Sequence, residues 1–162
     1  MKDTSFRASI ASAPVGRRTL LKGVGAAALL GGVGMPAIVR AQADEIIFGH
    51  LTPLTGFLGP LGVIGQMGVQ LAVEEINEAG GILGKQVVVV GMDGMGQPAD
   101  SVNALNRLID EEKVLAVVGT NFSSCQIAMV PIADQKQIPL IATAASNPKV
   151  TVDENGNLHP YS

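Results

Sequence analysis

The residues best placed for chemistry in this sequence are hydroxyls. Ser123 and Ser124 follow the apolar run Val114-Leu-Ala-Val-Val118 and Gly119, and they open a segment of helical character. At a helix start the first backbone N–H groups lack intrahelical partners, and the end carries partial positive charge. Hydroxyls and N–H groups converging there suit a carboxylate or a phosphate. A second hydroxyl-bearing turn, Thr143-Ala-Ala-Ser146, follows the run Ile138-Pro-Leu-Ile-Ala142. Local pattern alone reads both serines as caps and turn formers somewhat sooner than as ligand contacts.

Other chemistries lack their residues. No Gly-x-x-x-x-Gly-Lys-Ser/Thr phosphate loop occurs, and the glycines at 59, 62, 65 and 68 miss the dinucleotide spacing. Gly94-Met-Gly96 has no third glycine to complete that pattern. His50 and His159, the two histidines, lie far apart and offer no metal pair. Cys125 is the single cysteine, which excludes an internal disulfide and a thiolate metal cluster. The flanks of Ser123, Ser124 and Cys125 do not form a Gly-x-Ser-x-Gly elbow. Glu74-Glu75 and Glu111-Glu112 read as solvated charge on outer helix faces. No catalytic set, metal or cofactor is expected; a small α/β enzyme acting through Ser123 stays as a lesser alternative.

The elements that must position the serines alternate regularly. Glu45–Leu51 reads as a buried strand closed by Thr52-Pro53, and a glycine-rich loop leads into a helix. Gly65 and Gly68 are expected on that helix, with Val69, Ala72, Val73 and Ile76 on its inner face and Gly80-Gly81 ending it. Lys85–Val90 is apolar on both faces, as a strand covered on two sides should be. Pro98 and Asp100 open a second helix with Val102, Leu105, Leu108 and Ile109 inward. The runs 114–118 and 138–142 are two further strands, separated by a helix reaching Gln135 that Ser123 or Ser124 caps and Pro131 kinks. After Asn147 the chain turns repeatedly, and no further element is expected. The fold class is α/β, a parallel sheet with helices on both faces. Ligands of such sheets bind at the carboxyl ends of the strands, which puts the loops of Ser123 and Ser146 side by side.

Charge divides the chain in two. Residues 1–43 carry six Lys/Arg and one acid, a net of +5, whereas residues 44–162 carry five Lys/Arg and thirteen acids, a net of −8. So acidic a body, with no Trp and one Tyr, lacks the basic patches and stacking platforms of a nucleic-acid binder. Gly16-Arg-Arg-Thr-Leu-Leu-Lys22 reads as a twin-arginine motif, and Gly23–Val39 is an apolar run of seventeen residues with five glycines and Pro36. That run is short for a membrane span, and Ala41-Gln42-Ala43 supplies a cleavage site. Residues 1–43 are therefore expected to be a signal peptide, and residues 44–162 an exported, periplasmic body.

The run Ile46-Ile-Phe-Gly-His-Leu-Thr-Pro-Leu-Thr-Gly56 and the stretch Gly68–Gly84 resemble the opening of the periplasmic leucine/isoleucine/valine-binding proteins of ABC transporters. Gly119-Thr-Asn-Phe-Ser-Ser124 and Ile138–Pro148 extend the resemblance over about residues 45–150, in order and suitably spaced. The resemblance implies the amino-terminal lobe of a type I solute-binding protein. Such a hinged, monomeric protein closes two lobes on an amino acid and delivers it to a membrane permease.

It also implies roles for residues. Ser123 matches the serine that binds the ligand carboxylate, and Ala144 a residue whose carbonyl accepts from the α-ammonium. Ser146 stands where a Thr or Ser hydroxyl touches the ligand, and Leu61 near a loop position that often carries an aromatic ring. Asn121 aligns with a position that is apolar in leucine-type binders, which points to a polar amino acid, an amide or urea, or else to a turn role for this residue. An amide/urea receptor or a ligand-sensing regulator on the same fold is the alternative. The second lobe is expected to be absent, the chain a fragment or truncated reading frame of a longer receptor. Two or three hydrogen bonds to a charged ligand, each about 1.5–3 kcal/mol, barely offset an association cost of about 4–15 kcal/mol. Tight amino-acid binding by this chain alone is therefore not expected.

Overall fold

The computed structural model describes residues 6–8 and 45–162. Apart from residues 6–8, the expected signal peptide lies outside the described residues. The elements are β1 (Phe6–Ala8), β2 (Glu45–Thr52), α1 (Gly59–Glu78), β3 (Gln86–Asp93), α2 (Pro98–Asp110), β4 (Val117–Val118), α3 (Ser123–Lys136) and β5 (Leu140–Ile141), followed by a 3₁₀ turn at Pro148–Val150.

They form a five-stranded sheet in the order β1-β3-β2-β4-β5. The four strands from β2 onward run parallel, with Glu45 opposite Gln86, Gly49 opposite Val117 and Val118 opposite Ile141. β1 adds an antiparallel edge to β3, so three residues of the stretch expected to be a signal peptide pair with the sheet. Because β2 is flanked by β3 on one side and β4 on the other, the strand order reverses at β2. In open α/β sheets such a reversal is where ligands bind, outside the carboxyl ends of the strands.

The alternation of side chains along the strands creates two cores. On one face Leu51, Val90, Met92, Val117 and Leu140 pack against Leu105, Leu108 and Ile109 of α2 and Met129 and Ala133 of α3. On the other face Phe48, Val87 and Val89 meet Val69 and Val73 of α1. Asn77 fastens α1 to β3 by donating to the Val87 carbonyl at 2.9 Å and accepting its N–H at 2.7 Å.

Several elements depart from expectation for physical reasons. α1 begins at Gly59, so Gly59 and Gly62 are helical and Leu61 sits in the first turn, not in a loop. A Cβ on Gly62 would lie 1.6 Å from the Pro53 carbonyl oxygen, so tertiary contact demands glycine there despite its poor helix propensity. Ala72 and Ile76 are exposed, leaving Val69 and Val73 as the packed part of the expected stripe. The run 114–118 yields only Val117–Val118 as strand, although Leu115 N–H still donates to the Ile47 carbonyl at 2.8 Å and the Ala116 carbonyl accepts from Gly49 N–H at 2.9 Å. The carboxyl-terminal tail does more than turn: Leu140 N–H donates to the Tyr161 carbonyl at 2.7 Å, and Val152 bridges Leu158.

Candidate functional site

The carboxyl ends of β2, β3, β4 and β5 carry four loops, each held by its own hydrogen bonds. Asp93, last residue of β3, accepts from Leu54 N–H at 2.8 Å, Met95 N–H at 2.8 Å and the Thr55 hydroxyl at 2.5 Å. Partial burial alone would raise this carboxyl; the Thr55 hydroxyl and the N–H groups of Leu54, Met95 and Thr55 outweigh it and hold it below the ordinary carboxylate range. Asp93 thus stays charged and ties the loop after β2 to the loop after β3.

The loops after β4 and β5 are joined in the same way. The Thr143 hydroxyl donates to the Gly119 carbonyl at 3.2 Å, and Ser123 Oγ accepts the Asn147 N–H at 3.3 Å. Ser123 was expected to cap α3, with Ser124 as the other choice. Instead the N-cap is Phe122, with φ −104° and ψ 117°, and no side chain caps the helix. The Thr120 hydroxyl takes the Phe122 N–H at 3.2 Å, and Ser123 turns its oxygen to the neighbouring loop. The first α-helical bond is Gln126 N–H to the Phe122 carbonyl at 3.0 Å, so the N–H groups of Ser123, Ser124 and Cys125 precede it.

The sequence-derived candidates therefore gather at one rim. Asn121, in the loop after β4, and Ser123, first residue of α3, are half-buried, while Ala144 and Ser146 are exposed in the loop after β5. Asn147, bonded to Ser123, is the chain neighbour of Ser146. The arrangement offers hydroxyls, helix-end N–H groups and a loop carbonyl, which can hold a small zwitterion without changing any bond. Leu61 stands in α1, 53% exposed.

One residue escaped the sequence reading. Gln126 is fully buried on α3 beneath this rim, and among the described residues neither its Oε1 nor its Nε2 has a partner. A Cβ on Gly119 would lie 2.6 Å from Gln126 Oε1, so the glycine admits the amide. The only advance signal was a polar residue on the inner face of an otherwise apolar helix. His50, on β2, is likewise buried with Nδ1 unpartnered among the described residues, and burial lowers its pKa below 6.5.

Comparison with known proteins assigns the class. A family model described as periplasmic binding protein matches residues 45–161, and the chain belongs to that family. Its fold is that of type I periplasmic binding proteins. It is 35% identical over 135 residues to the amino acid binding protein of Pseudomonas aeruginosa, covering 83% of this chain and 35% of that protein. Leu/Ile/Val-binding protein BraC3 of Rhizobium johnstonii is 34% identical over 111 residues, covering 68% and 30% respectively. Among solved structures, the branched-chain amino acid transporter substrate binding protein LivJ of Streptococcus pneumoniae, in complex with isoleucine, superposes with a TM-score of 0.63 at 38% identity. That match covers 66% of this chain and 31% of LivJ. The chain spans about a third of the length of the curated relatives it matches.

Proposed function

We propose that residues 44–162 are the amino-terminal lobe of the periplasmic solute-binding component of an ABC importer. The ligand is a branched-chain or related amino acid, gripped in the cleft between two lobes and handed to a membrane permease. Ser123 and the first-turn N–H groups of α3 receive the carboxylate, the Ala144 carbonyl accepts from the ammonium, and Ser146 completes the wall. The observation that carries this reading is the convergence of the Ser123 and Ser146 loops at one rim, joined by the Ser123–Asn147 bond. Residues 1–43 act as a twin-arginine signal peptide that directs the folded body to the periplasm.

Asn121, half-buried beside Ser123, favours a second reading in which the ligand carries an amide or urea group. Ligand-observed NMR with isoleucine, leucine, asparagine and urea separates the two. Saturation transfer to the aliphatic amino acids, lost in Ser123→Ala, supports the first, and preference for asparagine or urea the second. With one wall, affinity of millimolar order or weaker is expected, about −4 kcal/mol at 1 mM. Transfer to none of the four contradicts both.

A further inference from the structure

The outer pole of α1 carries an apolar stripe that no element among the described residues covers. The helix rests on the sheet through Val69 and Val73, and its opposite side faces away from β2 and β3. Leu61, Ile64, Gly68 and Leu71 follow one another at spacings of three and four, which keeps them on that outward side. Ile64 is 67% exposed and Leu71 57%, with Met67 beside them at 63%. From Gly59 to Val73 the helix has no charged residue. A solvated helix turns its charged side outward; here the outward side is the apolar one, the mark of a surface that meets another.

Two features say what it meets. A Cβ on Gly68 would touch nothing within 4 Å, so nothing among the described residues requires glycine there. Glycine weakens a helix interior, but it leaves room for a large side chain from a second helix lying across it. Charge gives the second feature. α1 has no acid in its first turn, no side-chain cap at Leu58 and no base in its last turn. Its three acids, Glu74, Glu75 and Glu78, crowd the carboxyl-terminal end, where the helix dipole disfavours them.

An antiparallel copy of the same helix answers both. The spacing of 61, 64, 68 and 71 is that of a two-helix seam. With Leu61 level with the partner's Leu71, Ile64 lies level with the partner's Gly68, and every layer is apolar. In that register Glu74 comes level with the partner's Leu58, so the acids of each copy face the positive start of the other's helix. A face that complements itself about a two-fold axis closes a dimer.

We propose that two copies of this chain associate through α1, antiparallel and in this register, in place of the monomer that the family resemblance implies. The inference is independent of the ligand assignment, which concerns the loops after β4 and β5.

Sedimentation velocity of the full 162-residue chain over a range of concentrations tests it. A concentration-dependent dimer is expected, its dissociation constant raised at least about tenfold by Ile64→Glu. A second measurement mixes Leu61→Cys with Leu71→Cys under mild oxidation; Cys125 is buried and does not compete. The mixture is expected to give a disulfide-linked dimer. Leu61→Cys alone should not, because the two Leu61 positions then lie ten residues of helix rise apart, about 15 Å. A monomer at every concentration overturns the proposal and leaves the face to a partner of another kind. So does a dimer indifferent to Ile64→Glu, or one that cross-links through Leu61→Cys alone.

Discussion

Ser123 Oγ accepts the Asn147 N–H at 3.3 Å, so the residue that opens α3 holds the residue next to Ser146. The two hydroxyl-bearing loops are thereby fixed relative to one another before any ligand arrives. An exposed hydrogen bond of this length contributes no more than about 1 kcal/mol to stability. Ser123→Ala is expected to change the unfolding free energy by less than that and to accelerate amide exchange at Asn147. Unaltered exchange would mean that the serine does not hold the loop.

Gly62 and Gly65 should respond in opposite directions to alanine. At Gly62 the added Cβ meets the Pro53 carbonyl oxygen at 1.6 Å, whereas at Gly65 it meets nothing within 4 Å. Gly62→Ala is expected to cost at least about 1–3 kcal/mol through backbone displacement. Gly65→Ala should stabilise α1 by about 0.5–1 kcal/mol. Urea denaturation of both variants measures the contrast, and equal effects would contradict the close approach of α1 to Pro53.

These glycines also show where sequence stops being legible. Gly65 reads as helical from the sequence, but Gly62 reads as loop because nothing local announces the carbonyl of Pro53 behind it. Val87–Val90, by contrast, was readable as a strand because burial on both faces leaves an uninterrupted β-branched run. The parallel order that brings Ser123 near Ser146 followed from strand-helix alternation. The Phe122 N-cap did not, because Ser123 has a partner in another loop that local rules cannot see. Gln126 was hidden because its complete burial is set by tertiary packing around α3, which the local pattern does not announce.

Gln126 supplies a further prediction. Its amide is fully buried without partners among the described residues, a condition that costs about 1–3 kcal/mol. Gln126→Leu keeps the volume, removes the polar atoms and should raise the melting temperature by several degrees. A lower melting temperature would show that the amide is satisfied in solution.

Two depressed pKa values give the chain a sensitivity to acid. His50 is held neutral by burial, so the unfolded chain binds the proton more readily; stability is full above pH 6.5 and falls as pH drops toward the folded value. Asp93 is held charged, so its contribution is present above pH 3.8 and is lost as pH falls through its lower folded value. His50→Leu is expected to flatten the stability profile below pH 6.5, and Asp93→Asn to flatten it only below pH 3.8. Denaturation midpoints across pH 3–8 test both; an unchanged slope in His50→Leu would remove His50 as the cause.

The most direct test of the account maps backbone amide shifts in the ¹⁵N-labelled chain during titration with isoleucine into the millimolar range. Saturable shifts at Ser123, Ser124, Ala144 and Ser146, abolished by Ser123→Ala, are the predicted result. Shifts confined to other parts of the fold, with these four residues unmoved, would contradict it.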